Sequence, residues 1–207
     1  MSDVAAEMGL SEAAIDRYTG SKEDLFVSAI RHSLALEDMP AGDLSLSPTP
    51  LAVTVWEACE FVAEAVPFGT LTEALSGHGP GDTATELEKI LLELFELESR
   101  TREATHMLER SARELPEMAD LLKAGIRAPV LAALIKHLAS RAEAGTQRRT
   151  PDPAATRLVL ETLTWFARHR FSDPDGAAIP ADLATDTAGD VLVHALFPAS
   201  AVAAGGR

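Results

Sequence analysis

Apolar side chains recur every three to four residues along almost the whole chain, with interruptions at glycine, proline and capping residues, which predicts a succession of helices and no strand. Val4, Ala5 and Met8 share one face of a first helix, which Gly9 ends, and Leu10 is expected to fill the turn after it. Ser11 can cap a second helix carrying Ala14, Ile15 and Tyr18 at helical spacing. Ser21 and Asp24 frame a start resembling a capping box, so a third helix begins at Lys22 and runs to Leu36 with Leu25, Ser28, Ala29 and His32 on one face. Residues 39 to 50 are rich in Pro, Ser and Gly and mark the domain boundary.

Helical periodicity resumes over 51 to 66, with Val55, Ala58, Cys59 and Val62 opposite Glu57, Glu60 and Glu64, until Pro67 ends it. A short helical turn is expected at 71 to 75 and an irregular loop at 77 to 81. Thr85-x-x-Glu88 reads as a capping box ahead of Leu87, Ile90, Leu91, Leu94, Phe95 and Leu97, and one helix or two fill 85 to 115. Pro116 opens the next helix, Pro129 should kink it and Gly145 should end it. Asp152-Pro153 opens a helix to Arg170 with Leu158, Val159, Thr162, Leu163, Phe166 and Ala167 on one stripe and Trp165 off it. After an Asp-Pro-Asp-Gly turn at 173 to 176, a last helix spans 180 to 196 with Leu183, Thr187, Val191, Leu192, Ala195 and Leu196 on its apolar side, before a frayed tail. The last two helices carry more apolar surface than one neighbour covers, so two copies are expected to pair as a four-helix bundle through Leu163, Phe166, Val191 and Leu192. The predicted fold class is all-α, with a partial helix-turn-helix headpiece at 1–36 and a helical regulatory and dimerisation domain at 51–197.

With 207 residues of which 46% are hydrophobic, the chain can bury a core from aliphatic side chains alone. The single cysteine, Cys59, excludes an intramolecular disulfide, and Asp3 and Glu7 stand where a signal peptide needs positive charge. The longest apolar run, Pro129 to Ile135, is closed by Lys136 and His137, far short of the roughly 20 residues a membrane span requires. A cytoplasmic protein without membrane partners is expected. The net charge of −14 is unfavourable for meeting nucleic acid, and the first 50 residues hold only 3 basic side chains, Arg17, Lys22 and Arg31, against 9 acidic ones.

Glu103-x-x-His106 has the spacing of a metal motif in a helical bundle, but no second pair accompanies it, and an ordinary polar face is the expectation. His32, His78, His137, His169 and His194 lack ligand spacing and are expected at the surface or in the core, and Cys59 as a buried, inert thiol. Neither a nucleophile elbow, a phosphate loop nor a dinucleotide fingerprint is present, so neither enzymatic activity nor a cofactor is expected. The larger apolar side chains Trp56, Phe61, Phe68, Phe95, Met107, Met118 and Trp165 each read as core.

Two helices joined by a glycine turn of this length form a helix-turn-helix, whose second member normally enters the major groove. The run AAEMGLS followed by IDRYTGSKEDLF resembles the headpiece of the tetracycline-repressor (TetR) family. The resemblance implies that the helix beginning at Ser11, with Glu12, Ala13, Ala14 and Arg17, faces DNA bases, that Tyr18 and its neighbours touch phosphates, and that Lys22 meets the DNA backbone from a helix N-terminus. Asp16 replaces an aromatic of the family pattern, Thr19 replaces its core Phe, and the family's first helix has no counterpart ahead of Met1. The headpiece is therefore expected to bind operator DNA poorly until a first helix is supplied. From Arg113-Glu114-Leu115-Pro116 onward the chain also resembles the regulatory half of that family, through Gly145, DPAA, WFARHR and ALFP, whereas residues 37 to 101 carry no recognised motif. The resemblance implies a small-molecule effector in a cavity of the helical half, here lined by Trp56, Phe95, Met107, Met118 and Trp165 and suited to an apolar ligand. The function expected is a homodimeric repressor released from double-stranded DNA by that ligand. The alternative is a DNA-free ligand-binding or interaction protein with a decayed headpiece.

Overall fold

The computed structural model describes residues 1–34, 49–65, 69–77, 83–113, 115–143 and 153–196, and these are helical or in turns, without a strand. The chain divides into two compact units, one of Met1–Val62 with Glu103–Leu122 and the other of Ala63–Arg102 with Lys123–Arg207. Residues 103 to 122 thus belong with the N-terminal segment, a grouping that the periodicity of the sequence does not disclose. The boundary expected near 37 to 50 lies largely outside the described residues, as do most of the loop at 77 to 81, Gly145, Asp152 and the C-terminal tail.

In the first unit α1 (Ser2–Met8), α2 (Glu12–Thr19) and α3 (Lys22–Ser33) follow one another, α1 packing on α2 and α2 on α3. Gly9 adopts φ 65° and ends α1 in the left-handed conformation that a side chain disfavours. Ser11 accepts a hydrogen bond from the Ala14 amide at 3.2 Å, and Ser21 accepts one from the Asp24 amide at 3.0 Å while donating to the Asp24 carboxylate at 2.7 Å. The buried positions are Ala5, Ile15, Thr19, Val27, Ile30 and Leu34. Val4, Met8 and Leu10 are instead exposed, so α1 does not bury the face expected of it, and the inward row of α3 runs through Val27, Ile30 and Leu34 and not through Leu25 and His32. Arg31 of α3 forms an ion pair with Glu57 of α4 (Leu51–Ala65). α7 (Arg102–Ser111) buries Ala104 and Leu108, and Met118 of α8 (Pro116–Asp120) is also enclosed.

The second unit is built around α6 (Thr83–Arg100), which packs on α5 (Gly69–Leu75), α10 (Pro153–Ala167) and α11 (Ala181–Leu196), while α9 (Ala128–Glu143) packs on α5 and α10. Ala84, Leu87, Ile90, Leu91, Leu94 and Phe95 supply the α6 stripe and meet Leu134 and Leu138 of α9, Val159, Leu163 and Ala167 of α10, and Ala184, Leu192 and Val193 of α11 in one core. α6 begins two residues before Thr85, so Thr85 lies inside the helix and is not its cap. Immediately before α9, Leu121–Arg127 forms a π-helix. Pro129 lacks the N–H that the Gly125 carbonyl would take in an α-helix, which is consistent with the widened turns that end just before it.

α10 stops at Ala167, three residues earlier than its periodicity suggested, because His169–Ser172 tightens into a 3₁₀ turn. The Arg170 guanidinium donates to the carbonyls of Phe166 and Ile179, tying the end of α10 to the approach to α11 and so making the two packed helices an antiparallel hairpin. The Asp173 carboxylate accepts from the amides of Asp175 and Gly176 and closes the turn. On α11 the small residues Ala184, Ala188 and Gly189 face inward with Leu192 and Val193, which turns the predicted stripe by about one position and leaves Leu183, Thr187 and Val191 outside.

Candidate nucleic-acid interface

The exposed surface of α2 is set by what holds the helix from behind. Ile15 and Thr19 are buried, and the Thr19 hydroxyl donates to the Ile15 carbonyl at 3.1 Å, so this residue satisfies its own polar group inside the packing. Ser11, Glu12, Ala13, Asp16, Arg17 and Tyr18 are exposed and Ala14 is half-buried, while Lys22 is exposed at the first turn of α3. A 3.6-residue period places Glu12, Ala13, Asp16 and Arg17 together on one face and aligns Ser11, Ala14 and Tyr18 on a neighbouring one. The surface can thus offer a hydroxyl, an aromatic edge and two cations, but Glu12 and Asp16 stand beside Arg17 and oppose phosphate. Arg31, counted with the basic side chains in the sequence, is spent on Glu57 and half-buried.

The side chains expected around an effector are distributed over both units. Trp56, Met107 and Met118 lie in the first and Phe95 and Trp165 in the second. Trp56, 61% exposed, is a surface residue and not the core residue its apolar character suggested, whereas Met118 and Phe95 are buried. Trp165 is half-buried and meets Phe166 edge to face at 4.9 Å between centroids. The side chain of Cys59 lies outside the described residues.

The residues expected at a dimer interface also separate. Leu163 and Leu192 are buried in the core of the second unit, Phe166 packs against that core, and Val191 remains outside. Among the described residues, the large apolar side chains exposed on α10 and α11 are Leu158 at 67%, Leu183 at 55% and Val191 at 54%.

Polar groups that sequence periodicity passed over occupy the interior of the second unit. Glu86 is fully buried on α6, and its carboxylate oxygens accept from Nε and Nη2 of Arg141 on α9, each at 2.8 Å. His137, equally buried, has Nε2 3.7 Å from Oε1 of Glu86. Glu93, on the same side of α6, accepts from the amide and hydroxyl of Thr70 at the start of α5. Glu98, near the other end of α6, pairs with Arg168 at 2.5 Å and receives a long bond from the Thr164 hydroxyl at 3.5 Å. The guanidiniums of Arg102 and of buried Arg170 lie 4.2 and 4.0 Å from the centroid of the exposed Phe171 ring. The signal for His137 was present in the row Val130, Leu134, His137, Leu138 and Arg141, which shares one helical face. Glu103 and His106 are both exposed on α7, and no group of three metal-ligating side chains occurs among the described residues.

The chain matches no protein-family model, no curated protein and no solved structure. Among the described residues no helix is long and apolar enough to cross a membrane.

Proposed function

We propose that the chain is a TetR-like transcriptional regulator that acts as a homodimer and leaves its operator when a small apolar ligand binds. The observation that carries this reading is the sequence of caps and turns at the N-terminus: α1, a left-handed Gly9, Ser11 capping α2, then Ser21 capping α3, with Ser11, Glu12, Ala13, Arg17, Tyr18 and Lys22 all exposed. An anchored helix with a free outer face is what base reading in a major groove requires. Two headpieces on a two-fold axis would address successive grooves about 34 Å apart, and a ligand favouring another dimer state would spoil that spacing. The exposed apolar side chains Val4, Met8 and Leu10 support a further helix covering α1, as the family resemblance implies.

Dimerisation is assigned to the outer faces of α10 and α11. Leu158 on α10 and Leu183 and Val191 on α11 are exposed large apolar side chains, which a partner helix pair would cover. A second reading, a DNA-free ligand-binding or interaction protein, is favoured by Glu12 and Asp16, which share the exposed face with Arg17. Binding to DNA flanking the protein's own gene separates the two. A regulator selects one segment over a scrambled duplex and loses affinity in Arg17→Ala and Lys22→Ala, whereas the DNA-free protein shows no selectivity.

A further inference from the structure

His137 is fully enclosed, and neither ring nitrogen has a hydrogen-bond partner. A neutral imidazole carries one donor and one acceptor, and an enclosed polar group without partners in a native fold calls for a reason. Its nearest acidic group is the Glu86 carboxylate, 3.7 Å from Nε2, which a shift of under about 1 Å would bring into hydrogen-bond range. Both oxygens of that carboxylate are already engaged by Arg141. One buried anion therefore faces two potential cations, and only Arg141, 24% exposed, has a route to water.

We propose that Glu86, His137 and Arg141 form an acid-sensitive lock between α6 and α9, in which a proton taken from solvent by His137 draws the Glu86 carboxylate off Arg141, releases the guanidinium to water and loosens the two helices. Burial, together with the Arg141 cation, lowers the His137 pKa from 6.5 to about 4, so the lock is closed at neutral pH. Among the described residues, the other charged groups on the surrounding helices are exposed or engaged by other partners. On α6, Glu88 and Lys89 are exposed and Glu93 is engaged by Thr70; on α5, Glu73 is exposed. On α10, Arg157 and Glu161 pair with each other at the surface, and Lys136 and Glu143 of α9 itself are exposed.

The unfolded chain takes up the histidine proton near pH 6.5 and the folded one only near pH 4. The stability that His137 contributes is complete above the first value and falls as the pH drops towards the second. The test combines two measurements on the full chain. Melting temperatures from pH 7.5 to 4.5 should fall more steeply for the native protein than for His137→Leu or His137→Gln, neither of which can take the proton. In the native protein labelled at its 6 histidines, the ring resonance that is lost in His137→Gln should titrate near pH 4, and amide exchange in α6 and α9 should rise as it does so. Parallel melting curves overturn the proposal. So does a His137 resonance that titrates near pH 6.5, or a low titration that leaves exchange in α6 and α9 unchanged. Should both variants fail to fold, the titration and exchange of the native protein decide.

Discussion

A Cβ atom on residue 176 would stand 2.8 Å from the backbone oxygen of Arg170, so the connector between α10 and α11 closes only around glycine. The same Arg170 spans the connector with its guanidinium, which leaves the backbone little freedom to withdraw. Gly176→Ala is expected to lower stability by about 1 to 3 kcal/mol. Gly189 in α11 has open space where its Cβ would lie, and Gly189→Ala should raise stability by about 0.5 to 1 kcal/mol through helix propensity. Thermal unfolding of the two variants checks this, and equal losses would contradict the assignment of the close contact.

The Glu86–Arg141 pair is asymmetric, because Glu86 is sealed and Arg141 reaches solvent. Arg141→Ala strands a buried carboxylate and should cost about 3 to 5 kcal/mol. Glu86→Gln keeps an acceptor oxygen and leaves a cation that water can reach, so its loss should be clearly smaller. Chemical denaturation of both variants at pH 7.5 measures the difference, and a larger loss for Glu86→Gln would mean that Arg141 is not the exposed partner.

The helical class, the caps at Ser11 and Ser21, the end of α1 at Gly9 and the start of α10 at Pro153 were legible because each is set by local chemistry. What faces inward was legible only in part. Leu183 and Val191 look like core by hydrophobicity, yet Ala184 and Ala188 face inward because their size lets α11 approach its neighbours, a choice that depends on the opposing helix. Trp56 follows the same rule in reverse: its size invites burial, and the fold gives it to the surface. Of the candidate interface, the period of α2 put Tyr18 in one row with Ile15, whereas the structure exposes Tyr18 and buries Thr19, and the loss of Arg31 to Glu57 was not legible because that pair joins residues far apart in sequence. Glu86 escaped notice for a related reason, since a charged residue in a helical row reads as solvent-facing until its partner is known, and His137 stayed open between surface and core.

The dimer surface proposed on α10 and α11 predicts opposite outcomes for neighbouring leucines. Leu158→Glu combined with Val191→Glu should give a folded monomer in sedimentation with an unchanged far-ultraviolet spectrum, because both side chains are exposed in the subunit. Leu163→Glu places a charge in the subunit core and should prevent folding altogether. A double variant that remains a dimer would move the interface elsewhere.

The charge of the headpiece predicts its salt response. With Arg17 and Lys22 as the exposed cations of the proposed contact face, each subunit neutralises few phosphates, and the affinity should decline with a shallow logarithmic slope. Lys22→Ala should reduce that slope by about 1 per subunit and weaken all sequences alike. A slope matching many phosphate contacts would require a basic surface outside α2 and α3.

The most direct measurement is sequence-selective binding to the DNA flanking the protein's own gene, in low and moderate salt, by the chain and by the same chain with a helix supplied ahead of Met1 to cover Val4, Met8 and Leu10. One segment should be preferred over scrambled DNA, weakly by the chain alone and more tightly once α1 is covered, with the preference lost on replacing Arg17 and Tyr18 by Ala. Absence of selectivity in both proteins would contradict a DNA-reading role for α2 and leave the DNA-free reading in its place.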